Sequence, residues 1–166
     1  MKRRAMLAAF LLILSAGAQA SAAAAAEPKP EILGVRLGMG ARQARARLGK
    51  IGRLEREERK QQQVWALRDD PRFAFLIVGF DKDFSRVRFI TAKAREGGER
   101  VRYAEVLDLK RARQLGRAGN YSYSQRVRRG RRGAYVVSAR GTDAEYLTYY
   151  SVRSLGAGEE EEADEK

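Results

Sequence analysis

Residues 72–91 read RFAFLIVGFDKDFSRVRFIT, two apolar runs joined by a short polar turn. Before the turn, apolar side chains fall at both parities: Phe73, Phe75 and Ile77 on one, Ala74, Leu76, Val78 and Phe80 on the other. That pattern reads as a central strand covered on both faces. Asp81-Lys82-Asp83 supplies the turn, because a short Asp side chain accepts from nearby backbone N–H groups, and Val87, Phe89 and Thr91 restart an alternation. The stretch predicts a β-hairpin at the heart of a small sheet.

Working back from the hairpin, Asp69-Asp70-Pro71 is a turn and Val64–Leu67 a preceding strand. Residues 54–61 are too poor in apolar side chains to define an element, and a helix is the nearest fit. Gly40 serves as the N-cap of a helix through Leu48 that gathers Ala41, Ala44 and Leu48 on one face, and Gly49 is placed to end it in a left-handed cap. Working forward, Gly97-Gly98 breaks the pattern, and Ala104, Leu107, Leu109, Ala112 and Leu115 are spaced for a helix over Arg102–Leu115. Tyr121, Tyr123 and Val127 then alternate with Ser122, Ser124 and Arg126 as a half-buried strand. Ala134–Arg140 and Glu145–Arg153 follow as strands, separated by glycine turns.

A helix followed by three antiparallel strands thus occurs twice, offset by about sixty residues. The predicted class is α+β, an antiparallel sheet with helices packed on one face, built as a duplicated helix-plus-three-strand unit. It occupies residues 31–155 as a single domain with halves 31–96 and 100–155, since halves of that size bury little core alone.

The ends of the chain read differently. Lys2, Arg3 and Arg4 precede the apolar run Ala5–Leu14, and Ala18-Gln19-Ala20 ends in a small-x-small pattern, so residues 1–20 are expected to be a signal peptide cleaved near Ala20. Residues 21–30 are an Ala/Pro spacer, and residues 156–166, with Glu159–Glu162, Asp164 and Glu165, form an acidic tail expected to be disordered. The expected location is periplasmic or secreted. No cysteine occurs anywhere, so neither disulfides nor an N-terminal lipid thioether are available.

The formal net charge is +13; the three leader cations account for three of these, and the tail from Glu159 carries six acids against one base, so residues 21–158 hold about +15. With neither His nor Cys, Ser-His-Asp and Cys-His nucleophilic sites, thiolate–imidazole zinc sites and redox thiols are excluded. The carboxylate pairs Asp69/Asp70 and Asp81/Asp83 both sit in predicted turns, and the Asp81-Lys82-Asp83 turn lacks the further oxygen ligands and the glycine of a calcium loop. The chain reads as a non-enzyme without cofactor or metal.

At Ile32–Gly49 the residues ILGVRLGMGARQARARLG, through Gly34, Val35, Leu37, Gly38, Met39, Leu48 and Gly49, resemble the opening of two families of small exported α/β proteins. These are the outer-membrane-assembly small lipoproteins (SmpA/OmlA or BamE type) and the β-lactamase-inhibitor-protein-like domains. The aromatic-bearing strand at Trp65 and the strand–turn–strand after it are similar too. The resemblance implies a helix-on-sheet scaffold that binds proteins, and it transfers no functional residue.

What remains is Arg with Tyr in the second half. Arg126, Arg128, Arg129, Arg131, Arg132 and Arg140 gather around one hairpin, with Arg126 and Arg128 on the strand face opposite Tyr121, Tyr123 and Val127. On the last strand Tyr149 is expected on the face of Leu147, away from Tyr146 and Tyr150. Arg126, Arg128, Arg129, Arg131, Arg132, Arg140 and Tyr149 are the candidate binding residues. Two classes of partner fit them: an envelope protein or other acidic partner, or an anionic lipid headgroup or acidic polysaccharide. Nucleic acid is the poorest fit, because export removes the usual substrate and the tyrosines read as core-facing.

Overall fold

The computed structural model describes residues 27–58, 61–128 and 133–156. The predicted leader, Arg129, Arg131 and Arg132, and the acidic run from Glu159 lie outside the described residues. A hairpin of β1 (Glu31–Ile32) and β2 (Val35–Arg36) leads into α1 (Ala41–Ile51). There follow β3 (Gly52–Glu58), β4 (Gln62–Leu67), β5 (Phe73–Phe80) and β6 (Val87–Ala94). The second half holds α2 (Tyr103–Val106), β7 (Arg113–Gln114), β8 (Tyr121–Arg128), β9 (Ala134–Gly141) and β10 (Tyr149–Ser154).

Eight of these strands form one antiparallel sheet in the order β3-β4-β5-β6-β10-β9-β8-β7. Each half is a four-stranded meander, and the two meet where their last strands pair, with Thr91 opposite Ser151 and Ile90 opposite Val152. Equivalent strands lie about sixty residues apart. The buried polar side chains repeat with them: Gln63 on β4 faces Val78, and Gln125 on β8 faces Val137. Both are satisfied, as burial demands. Gln125 accepts from the Asp108 backbone N–H at 3.0 Å. A guanidinium only donates, so the Gln63 carbonyl oxygen turns to Nε and Nη2 of Arg45, each 3.1 Å away.

The α+β expectation, including the helix-on-sheet scaffold implied by the resemblance, is corrected. Among the described residues the fold is mostly β, with 49% strand, 12% helix and two short helices. The repeating unit contributes four strands, not three. Three local readings account for the change. Residues 54–58, for which a helix is the nearest fit to the sequence, lie in the edge strand β3, whose charged side chains reflect exposure at a sheet edge. Gly49 lies within α1, which runs to Ile51 and passes directly into β3 through an extended Gly52. The second helix stops after one turn, because Leu107 is extended and buries itself in the core. Leu109 and Leu115, which completed its apparent apolar face, are 42% and 59% exposed.

One face of the sheet carries the core. Leu76, Val78, Phe80, Ile90, Ala92, Val137, Ala139, Tyr150 and Val152 point to it, where they meet Ile32, Val35, Ala44, Leu48, Val101, Tyr103 and Leu107. The chain before β1 is tied in as well: Pro28 is buried and its carbonyl accepts from the Tyr135 hydroxyl at 2.6 Å. Tyr103 packs on Tyr123 with ring centroids 4.8 Å apart, and burial pushes its phenol up to about 12. The predicted turns form through Asp side chains, Asp70 accepting from the N–H groups of Arg72 and Phe73, and Asp81 from those of Ser85 and Arg86.

Candidate functional site

The opposite face of the sheet is the candidate site. Strand alternation sends Phe75, Ile77, Phe89, Thr91, Lys93, Tyr149, Ser151, Val136 and Ser138 to it, and among the described residues none of the helices or loops packs over them. The expectation that Phe73–Phe80 is covered on both faces is therefore corrected. Part of its double parity comes from β-bulges: the register with β6 shifts between Phe73 and Phe75, and again between Gly79 and Phe80, which brings Phe73 and Val87 to the core. The rest is a real apolar surface, with Phe75, Ile77 and Phe89 half-buried on the open side.

The register arranges this face in rows across the strands. One row runs Ala66, Phe75, Lys93, Tyr149, Arg140, Ser122. The next runs Val64, Ile77, Thr91, Ser151, Ser138, Ser124, Arg113. The third runs Gln62, Gly79, Phe89, Arg153, Val136, Arg126, and Arg128 opposite Ala134 lies beyond it. The first half of the face is apolar. In the second half a strip of hydroxyls lies between rows of cations, and from β6 to β7 these rows hold no Asp or Glu; at the other edge β3 continues them with Arg53, Arg56 and Glu58. Thr91 and Ser151 bridge the two halves through a 2.9 Å hydroxyl contact, and the Ser151 hydroxyl also donates to the Ile90 carbonyl at 3.2 Å.

Two ring contacts shape the surface. The Phe89 ring lies across Gly79, where a Cβ would meet its Cε1 at 1.9 Å, so only glycine admits the ring. Arg140 stands over the Tyr149 ring at 4.7 Å, which holds its guanidinium close to the sheet and exposes its N–H groups at the rim.

The structure brings together four of the predicted binding residues, Arg126, Arg128, Arg140 and Tyr149, on this single face. It separates them along the strands, however. Arg126 and Arg128 sit at the end nearest the 129–132 connection, whereas Arg140 and Tyr149 sit toward the other end of the sheet, about 13 Å along the strands from Arg126 and about 20 Å from Arg128. Leu147, expected beside Tyr149, is in the core. Sequence reasoning missed Lys93, because its place beside Tyr149 depends on the pairing of β6 with β10 across nearly sixty residues of chain, and Arg153, because its place in the row of Arg126 follows only from the joint registers of β10 with β9 and of β9 with β8.

A cleft of about 520 Å³ on the core side lies between Pro30–Gly40 and the end of β10, and among the described residues its walls include Arg36, Arg86 and Tyr135 but no carboxylate. Among the described residues no group of three or more His, Cys, Asp or Glu is placed to hold a metal ion, and no helix is long and apolar enough to cross a membrane. No family model, curated protein or solved structure matches the chain.

Proposed function

We propose that the chain is an exported, non-catalytic protein-binding module of the bacterial cell envelope that docks an acidic protein on the open face of its sheet. The observation that carries this reading is the composition of that face. Phe75, Ile77 and Phe89 present apolar area that the described fold leaves without a cover, and Lys93, Arg140, Arg153 and Arg126 adjoin it without intervening acids. Apolar area of this kind marks docking surfaces on soluble proteins, and a one-signed rim selects the partner's charge and orients it. Eight strands wide and three rows deep, the face offers roughly 600 Å², close to the roughly 800 Å² each partner contributes to an ordinary specific interface. Export rests on the basic, apolar and small-residue succession of residues 2–20.

The test is retention of a partner from an envelope extract by the wild-type chain and by the variant carrying Lys93→Glu and Arg140→Glu. The wild type is expected to retain a protein that the double variant loses. Arg42→Glu on the exposed side of α1 is expected to retain it. Equal retention by all three chains would remove the open face from the account. Binding to phosphatidylglycerol vesicles that survives about 0.15 M salt would instead favour the anionic-lipid reading.

A further inference from the structure

β10 is a central strand of the sheet, flanked by β6 and β9, so the chain leaves the fold from the middle of the sheet and not from an edge. Leu155 is still tethered there, its backbone N–H donating to the Ala134 carbonyl at 3.1 Å. At this end of the sheet the open face carries Arg153, Arg126 across Val136, and Arg128 opposite Ala134. The sequence continues Gly156-Ala157-Gly158, which permits reversal, and then brings Glu159–Glu162, Asp164 and Glu165. An extended chain advances about 3.3 Å per residue, so the acids after Gly158 span the roughly 13 Å from Arg126 to Arg140. Other occupants fit less well. A second copy would set one cationic face against another, and the segment before β1 is held at Pro28 by Tyr135.

We propose that the acidic run Glu159–Glu165 docks on the chain's own open sheet face, over Arg153, Arg126 and Arg140, and is displaced when an acidic partner binds. The displacement rests on the docking function proposed above; the intramolecular contact does not. Tethering places the acids at an effective concentration near the millimolar range, enough to compete with external acidic ligands while remaining salt-sensitive.

The full-length variant with Glu159–Glu162 and Glu165 changed to Gln and Asp164 changed to Asn tests this by amide NMR. At about 20 mM salt, the amides of Arg126, Ser138, Arg140 and Ser151 are expected to shift between wild type and variant, and the difference is expected to vanish near 1 M salt, where screening is complete within about 3 Å. A synthetic peptide of residues 158–166 is expected to bind the variant about tenfold more tightly than the wild type. Superimposable spectra at low salt, or equal peptide affinities, would overturn the proposal. So would shift differences that grow with protein concentration, which place the acids on a second copy. Differences that persist after Arg126→Glu, Arg140→Glu and Arg153→Glu would place them elsewhere on the molecule, with the same consequence. Partner retention measured on the neutralised variant keeps the two ideas apart. Retention without tail-dependent shifts leaves the docking face and removes the intramolecular contact, and shifts without retention do the reverse.

Discussion

Single residues set the character of the open face. Gly79 is where the backbone must yield to Phe89, since any Cβ there would occupy the ring's position. Gly79→Val should therefore lift Phe89 off the sheet and destabilise the fold by about 1–3 kcal/mol, the range for forcing extra methyl groups into a packed position. A lower urea midpoint with an unchanged slope would bear this out. Tyr103 acts at the core-side layer. Its hydroxyl donates to the Asp143 carbonyl at 3.2 Å, and burial, followed by the neighbouring Tyr123, raises its pKa from 10.0 to about 12. A raised value means that the folded state holds the proton more tightly than the unfolded state. The stabilisation is thus complete below pH about 10 and is lost as pH rises through the folded-state value. Urea titrations repeated across this window should show stability falling in the wild type and falling less steeply in Tyr103→Phe.

At the scale of elements, what could be read from the sequence follows how local each element's cause is. The β5–β6 hairpin was legible because its two apolar runs and the Asp81 turn lie within twenty residues of one another. The first helix was legible from Ala41, Ala44 and Leu48, which are all buried. β3 was not, because a charged edge strand takes its conformation from hydrogen bonding to β4, and Arg53, Arg56 and Glu58 carry no apolar alternation to announce it. The helix over Arg102–Leu115 was misread because Leu109 and Leu115 matched a helical period without facing any core. For the site, Arg126 and Arg128 were legible from parity alone, whereas Lys93 required the β6–β10 pairing and Arg153 the registers of β10 with β9 and β9 with β8. That pairing has a measurable consequence. The chain's one tryptophan, Trp65, is in the first meander and its seven tyrosines all lie in residues 103–150. Val152→Ala at the junction should cost about 2–3 kcal/mol, and Trp65 fluorescence and tyrosine near-ultraviolet circular dichroism should still report one coincident transition. Separate midpoints would show that the meanders unfold independently.

At the scale of the whole molecule, a sheet with one buried and one open face sets Lys93, Arg126, Arg140 and Arg153 beside apolar surface. The core side takes the N-terminal hairpin, α1 and the 101–107 segment, and the apolar residues left on the other side are the ones the alternation seemed to require a cover for. Cover by a partner accounts for this apolar surplus, since the acidic run proposed to dock over the neighbouring cations carries no apolar residue larger than alanine. Because the sequence contains no cysteine, a single introduced thiol can be followed without background. The decisive measurement is the rate of thiol modification at Ser138→Cys on the open face, with Ala139→Cys on the core side and Arg42→Cys on α1 as references, before and after addition of the retained envelope protein. In the chain whose acidic run is neutralised, the account predicts a reactive Ser138→Cys that is protected at least tenfold by the partner, an unreactive Ala139→Cys, and an Arg42→Cys modified at a rate the partner leaves unchanged. Protection of Arg42→Cys with Ser138→Cys unaffected would contradict it.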